Sequence, residues 1–297
     1  AWGWARGRAQ DSAPIVALTL ELPESRPDLS RFAVSHDGSR FAFSVGEGIV
    51  VRDSGTREYR MLPGTASGES PSFSPDGDWL VYQMQGRLRK IALTGGASIS
   101  IIPNDSLRAG RVRWGADGTI VFENASRLYT ISPTGSLRLL SKTDRAESPR
   151  LMPDGSGVFY IDTRSGSRLM FYDIAADTAY TLVEDSGEGL YLPSGHLLYT
   201  AANGGLFAVP YDARAHRIVG TPVSVAADMQ SNGGVSPFDV TTNGTLVYRA
   251  GIDLESRILV REPNGRTDTL PIAPRIISYV RLSPDSRSLA LTIGSAR

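Results

Sequence analysis

Cysteine is absent from these 297 residues, which removes disulfide frameworks, thiolate metal sites, iron–sulfur clusters and thiol nucleophiles together. Histidine is scarce: His36, His196 and His216 are the three imidazoles, far apart in the chain, and metal ligation needs two or more to converge. No metal and no cofactor is therefore expected. Lysine occurs only as Lys90 and Lys142, so 29 of the 31 basic residues are arginine, a bias that reflects genome coding and carries no functional weight. Neither sign of charge prevails, because 31 Lys+Arg meet 31 Asp+Glu. That balance argues against a nucleic-acid partner, whose binders carry a clustered basic excess. No apolar run approaches the roughly 20 residues of a membrane helix, so any membrane segment is expected outside these residues. Sustained helical periodicity is missing too, and almost no helix is expected.

What the chain does have is turns, with 31 Gly and 18 Pro, and those turns recur. Ser35-His-Asp37-Gly38-Ser-Arg-Phe-Ala-Phe43 and Ser74-Pro-Asp76-Gly77-Asp-Trp-Leu-Val-Tyr82 are two copies of one pattern. The pattern returns at Asp117-Gly118, Asp154-Gly155, Ser194-Gly195 and Asn243-Gly244, and a seventh time at Asp285-Ser286. The turn positions 38, 77, 118, 155, 195, 244 and 286 are spaced by 39, 41, 37, 40, 49 and 42 residues. A period near 40 with four short strands per unit is the signature of a β-propeller.

The residues explain each unit. Asp-Gly or Asn-Gly supplies the positive φ of a tight turn. An apolar strand follows, as in Phe41–Phe43, Leu80–Tyr82, Ile120–Phe122 and Val158–Tyr160. A third strand is expected at Gly48–Asp53, Leu88–Leu93, Arg127–Ile131, Arg168–Asp173, Leu206–Pro210 and Arg257–Arg261, then an alternating outer strand such as Glu58–Leu62, Ser98–Ile102 or Tyr180–Val183. The fold class is thus all-β: a propeller of four-stranded antiparallel blades, six complete repeats and a truncated seventh, with seven blades favoured over six. Residues 15–297 form the propeller, whose last blade is cut at Arg297; a strand at Ile15–Leu22 closes the ring in the seven-bladed reading. Residues 1–14 are a leader or a juxtamembrane segment, the latter suggested by Trp2 and Trp4 beside Arg6 and Arg8.

Candidate chemistry is thin. There is no Gly-x-Ser-x-Gly nucleophile elbow, no Gly-x-Gly-x-x-Gly or P-loop, no Val-Ala-Ile-Lys and no His-Arg-Asp, so no catalytic residue is expected and the chain is read as a non-enzyme. The turn acids Asp37, Asp76, Asp117, Asp154 and Asp285 invite a calcium reading. Each turn offers one carboxylate where calcium loops stack several, so bonding to nearby backbone N–H groups is the better expectation. A ligand, protein or small molecule, is expected at the channel mouth or on long loops: Pro63–Ser70, Asn104–Gly110 and Asp228–Val235. Within the last, Met229, Gln230, Ser231 and Asn232 are the candidate recognition residues.

The Ser-Pro-Asp-Gly repeat resembles the TolB-like propeller family over about residues 30 to 297. A narrower resemblance lies in the later repeats. Leu206-Phe-Ala-Val-Pro-Tyr-Asp212, Gly220-Thr-Pro-Val-Ser-Val225, Phe238–Tyr248, Arg261-Glu-Pro-Asn-Gly265 and Tyr279-Val-Arg-Leu-Ser-Pro-Asp285 follow in an order similar to the extracytoplasmic propeller of bacterial membrane-anchored serine/threonine protein kinases. His36 for the usual Pro, Ser194 for Asp and Ser286 for Gly are departures that loosen single turns. The resemblance implies a non-catalytic sensor or protein-interaction propeller, outside the cytoplasm and anchored through a segment beyond this chain. The propeller of a prolyl-oligopeptidase-like peptidase and a periplasmic TolB-like scaffold are the alternatives.

Overall fold

A turn that reverses the chain every dozen residues allows no partner but the neighbouring strand, and five times in succession the chain completes a four-stranded antiparallel sheet. The computed structural model describes residues 28–102, 107–140, 142–202, 204–227, 229, 238–248, 255–256, 259–261, 267–269, 275–283 and 288–294, and among them no helix occurs. The first blade is β1 (Asp28–Val34), β2 (Arg40–Val45), β3 (Gly48–Asp53) and β4 (Arg60–Met61). The second is β5 (Gly68–Phe73), β6 (Trp79–Met84), β7 (Arg87–Ala92) and β8 (Ile99–Ser100). The third is β9 (Ala109–Trp114), β10 (Ile120–Asn124), β11 (Arg127–Ile131) and β12 (Leu137–Leu139). The fourth is β13 (Ala146–Leu151), β14 (Gly157–Asp162), β15 (Arg168–Asp173) and β16 (Thr178–Val183). In the fifth, β17 (Ser186–Leu192), β18 (His196–Ala201) and β19 (Leu206–Asp212) are followed by β20 (Arg217–Ile218) and β21 (Val223–Ala226), both paired with β19. That divided outer edge takes up part of the 49-residue spacing.

Successive innermost strands β1, β5, β9, β13 and β17 are neighbours, which arranges the sheets as the blades of a propeller. The core is a set of sandwiches between blades. Ala42 and Ile49 of the first blade meet Phe73, Leu80 and Tyr82 of the second, and Val121 and Leu128 of the third meet Tyr160 and Tyr172 of the fourth. Because a blade is covered on both faces, its second strand is buried at consecutive positions: every residue of β14 is buried, as are five of six in β2. Continuous apolar strands such as Phe41–Phe43 are the sequence mark of that double burial.

The step between blades has its own lock. Thr65, Thr143 and Ser186, each at most 1% exposed, follow the outermost strand of one blade and reach back to its end and to the third strand. Thr143 Oγ1 accepts from Leu128 N at 3.0 Å and donates to Leu140 O at 2.7 Å; Thr65 does the same with Ile49 N and Leu62 O, and Ser186 with Leu169 N and Val183 O.

Beyond the fifth blade come a hairpin, β22 (Phe238–Val240) with β23 (Leu246–Tyr248), and then β24 (Glu255–Ser256), β25 (Leu259–Arg261), β26 (Thr267–Thr269), β27 (Arg275–Leu282) and β28 (Leu289–Gly294). β25 pairs β26, and β27 pairs both β24 and β28. The hairpin touches two blades. Phe238 packs with Leu198 and Leu206 of the fifth, while Thr242 N and Oγ1 donate to His36 O of the first, at 2.7 and 2.8 Å, and Val247 packs on Phe32 and Phe43. Seven blades were expected and are not confirmed: five are seen, plus this hairpin between the fifth and the first. The leader 1–14, the strand expected at Ile15–Leu22 and the seventh turn at Asp285 lie outside the described residues.

Candidate axial site

Each innermost strand carries a bulge near its start, opposite the Asp-Gly end. Register breaks between Asp28 and Phe32, Glu69 and Ser72, Glu147 and Arg150, and Ser186 and Gly189, and on β9 opposite the step from Phe122 to Asn124. Ser70 and Ser148 hold positive φ of 55° and 52° there. A bulge adds a residue, bends the strand and re-aims side chains. Here it turns charged groups toward the axis: Arg31, Glu69, Arg111, Arg150 and Glu188.

The ion pairs these groups make are chords across the ring. Arg111 Nη1 of the third blade reaches Glu188 Oε1 of the fifth at 3.1 Å, skipping the fourth. Arg150 of the fourth bonds Glu188 Oε2 at 3.1 Å, Asp239 Oδ1 of the hairpin at 3.1 Å and Phe238 O at 2.6 Å, and its guanidinium lies 5.6 Å from the Phe238 ring centroid. Arg150 and Glu188 are 5% and 2% exposed, whereas Arg111 and Asp239 are each 19% exposed, so the knot is sealed on one side and open on the other. Arg31 pairs with Glu69, which also accepts from Gln83 Nε2 at 2.8 Å.

Burial and pairing compete in this knot. Burial pulls the Arg150 guanidinium down, and Asp239 and Glu188 outweigh it and hold it above its ordinary value. Burial likewise pushes the Glu188 carboxyl up, and Arg150 with Arg111 and Arg113 brings it below the usual range. Two groups lack such compensation. Arg113, two residues along β9 from Arg111, is lowered to about 10 by burial and by Arg150. Glu123, which accepts from Ser148 N and so spans the third and fourth blades, is pushed up to about 7 by burial.

The residues singled out from sequence sit elsewhere. Asp37 Oδ1 accepts from Ser35 Oγ at 2.6 Å and Ser39 N at 3.0 Å; Asp76, Asp117 and Asp154 accept from the backbone N two residues on, each at 3.0 Å. Gly38, Gly77, Gly118, Gly155, Gly195 and Gly244 all take the positive φ the turns demand, from 71° to 86°. Asn243 Oδ1 accepts from Thr245 N at 3.2 Å. Among the described residues no group of three His, Asp or Glu could hold a metal. Of the candidate recognition loop, Met229 is buried with Leu198, Leu206 and Phe238, so it packs the core; Gln230, Ser231 and Asn232 lie outside the described residues. The Pro63–Ser70 loop is structural at Thr65. His216 closes a seam: its Nε2 is 3.0 Å from Asp173 Oδ2, and its ring stacks on Phe171.

A concavity of about 530 Å³ lies between the fifth blade and the hairpin, walled by Leu192, Pro193, Leu198, Val225 and Leu246. Ser194 Oγ is 3.1 Å from His196 Nδ1 there. Ser194 is exposed and His196 half-buried at a turn, and no carboxylate bonds that imidazole among the described residues.

The axial residues were missed in the sequence, yet a signal exists. Glu69 and Glu147 fall eight residues before a turn Gly, Arg31, Arg111 and Glu188 seven, and Arg113, Arg150 and Asp239 five. A charge five to eight residues before each of the six turn glycines marks the start of the innermost strand.

No family model and no curated protein matches this chain. Solved structures do. TolB from Acinetobacter baumannii is similar at 17% identity and a TM-score of 0.51, over 66% of this chain and 54% of that one, so the chain spans about half of that protein's length. A streptogramin B lyase is similar at 11% identity and a TM-score of 0.54, over 91% and 92% of the two chains. Kuenenia stuttgartiensis hydrazine synthase is similar at 15% identity and a TM-score of 0.53, over 78% and 75%. At such identities the likeness is one of fold: a TolB-like β-propeller, shared by proteins of unrelated activity.

Proposed function

We propose that this chain is a non-catalytic recognition propeller, working outside the cytoplasm as the outer portion of a membrane-anchored bacterial serine/threonine protein kinase. The observation that carries the recognition reading is the axial knot. A general acid or base must be free to give or take a proton at its substrate. Arg111, Glu188, Arg150 and Asp239 are instead committed to one another as a preorganised polar cluster. The kinase assignment is supported by the order of the later repeats, from Leu206–Asp212 to Tyr279–Asp285. The ring belongs to the same reading: the β22–β23 hairpin takes the place of a sixth blade's inner half, between the fifth blade and the first.

The coding sequence on both sides of this segment tests the assignment. A kinase domain followed by one membrane helix upstream is the expected result. A signal peptide immediately upstream would make this a periplasmic scaffold, and a downstream domain with Gly-x-Ser-x-Gly would make it the propeller of a peptidase. Either finding overturns the kinase reading.

A further inference from the structure

The axial knot leaves one guanidinium without an ion pair. Arg111, Arg113 and Arg150 bring three guanidiniums, against the two carboxylates of Glu188 and Asp239. Arg113 is the group left over. It lies two residues along β9 from Arg111, past the bulge, where Arg113 pairs in register with Val121. The charges acting on it are Arg150, Asp239, Glu188 and Arg111, yet among the described residues it makes no ion pair. Its Nη1 reaches only the Val112 carbonyl, at 3.4 Å. Other carboxylates nearby are engaged: Glu69 with Arg31 and Gln83, and Glu123 with the Ser148 amide. Arg113 is half-buried, and a partly desolvated charge without a partner is costly.

We infer that the axis of the ring binds one carboxylate group, held by the Arg113 guanidinium with Arg111 beside it. The planar fork of a guanidinium matches the two oxygens of a carboxylate. One guanidinium is without an ion-pair partner among the described residues, which a singly charged group supplies and a doubly charged phosphate overshoots. Approach is from the Arg111 side, because that residue is 19% exposed while Arg150 and Glu188 are sealed beneath it. The inference rests on the recognition reading and names its ligand class: a free organic acid, or the carboxylate of an acidic peptide.

The test uses the whole chain at neutral pH with 13C-acetate as probe, reading NMR line broadening against chloride at equal ionic strength. Wild type broadens the acetate line. Arg113→Gln weakens acetate binding at least about tenfold, the loss of one charge-assisted pair. Arg138→Gln, an equal change of charge on the outer strand β12, leaves binding unchanged. Competition by inorganic phosphate stronger than by acetate, equal loss in both variants, or no broadening by wild type each overturns the site. Circular dichroism of Arg113→Gln must match wild type, and Arg113→Lys supplies a second variant that keeps the charge but not the fork. Gly-Gly-Glu displacing acetate more strongly than a second simple acid, propionate, identifies the peptide source; the reverse order identifies a free acid. None of these outcomes depends on the flanking genes, so this site and the kinase assignment fail separately.

Discussion

Glu188 is a carboxylate that two arginines compete for, and its position fixes what single substitutions at the axis do. Arg150→Met leaves Glu188 with Arg111 alone and strips Asp239 of its ion-pair partner, and is expected to cost about 3–5 kcal/mol in urea unfolding. Adding Asp239→Asn to that variant restores part of the loss; a double variant no better than the single would contradict the pairing. Glu123 behaves in the opposite sense. Its folded value of about 7 lies above the ordinary 4.5, so the folded chain holds a proton the unfolded chain has released. Stability therefore falls as pH rises from 4.5 to 7 and stays reduced above, by up to about 3 kcal/mol at ~1.4 kcal/mol per unit. Glu123→Gln is expected to flatten that slope and to be more stable than wild type at pH 8, measured by denaturant unfolding at pH 5 and pH 8. A variant with an unchanged slope would show that another group sets it. None of these charges could be assigned from sequence. Arg150 and Asp239 are 89 positions apart, and only ring closure brings them together.

At the scale of the element, the turns and strands were the legible part. β3, β11 and β15 begin and end where the sequence places them, because Asp-Gly turns and apolar runs are local signals. The outer strands were legible in position and not in length: β4 and β8 are two residues each, since nothing beyond them buries a longer strand. The blade-to-blade lock was not legible, because a Thr or Ser in a loop reads as solvated. Thr143→Val removes the acceptor of Leu128 N and the donor to Leu140 O inside a dry seam, at an expected cost of about 1–3 kcal/mol by thermal unfolding. A variant as stable as wild type would reduce the lock to packing. The turn carboxylates act on the acid side. Asp37 is drawn down to about 2 by the Ser35 hydroxyl and the Ser39 amide, and Asp76 and Asp154 are lowered chiefly by the Ser74 and Ser156 hydroxyls. The unfolded chain holds more protons there than the folded one, so their contribution is complete above about 4 and is lost as pH falls through 2. Asp37→Asn keeps the turn acceptor, so its acid unfolding curve should be shallower between pH 4 and 2 while its stability at pH 7 stays near wild type.

The hairpin meets the first blade through two hydrogen bonds, from Thr242 to His36, and the packing of Val247. With no native cysteine to interfere, spin labels at those two positions should report one short distance by pulsed electron resonance; a broad distribution would mean an open ring. Covalent closure is absent, so the order in which parts let go depends on what ties them. An array of repeats that touch only their neighbours melts as a string, from its ends inward. Here Arg111–Glu188 and Arg150–Asp239 tie the third, fourth and fifth blades and the hairpin at a common hub, so none of these four can open without releasing the others. Blades one and two share only the more open Arg31–Glu69 pair at the axis among the described residues, with its members 30% and 47% exposed. Amide hydrogens of β2 and β6 should therefore exchange first and independently, while those of β10, β14 and β18 exchange later and together as a single cooperative unit.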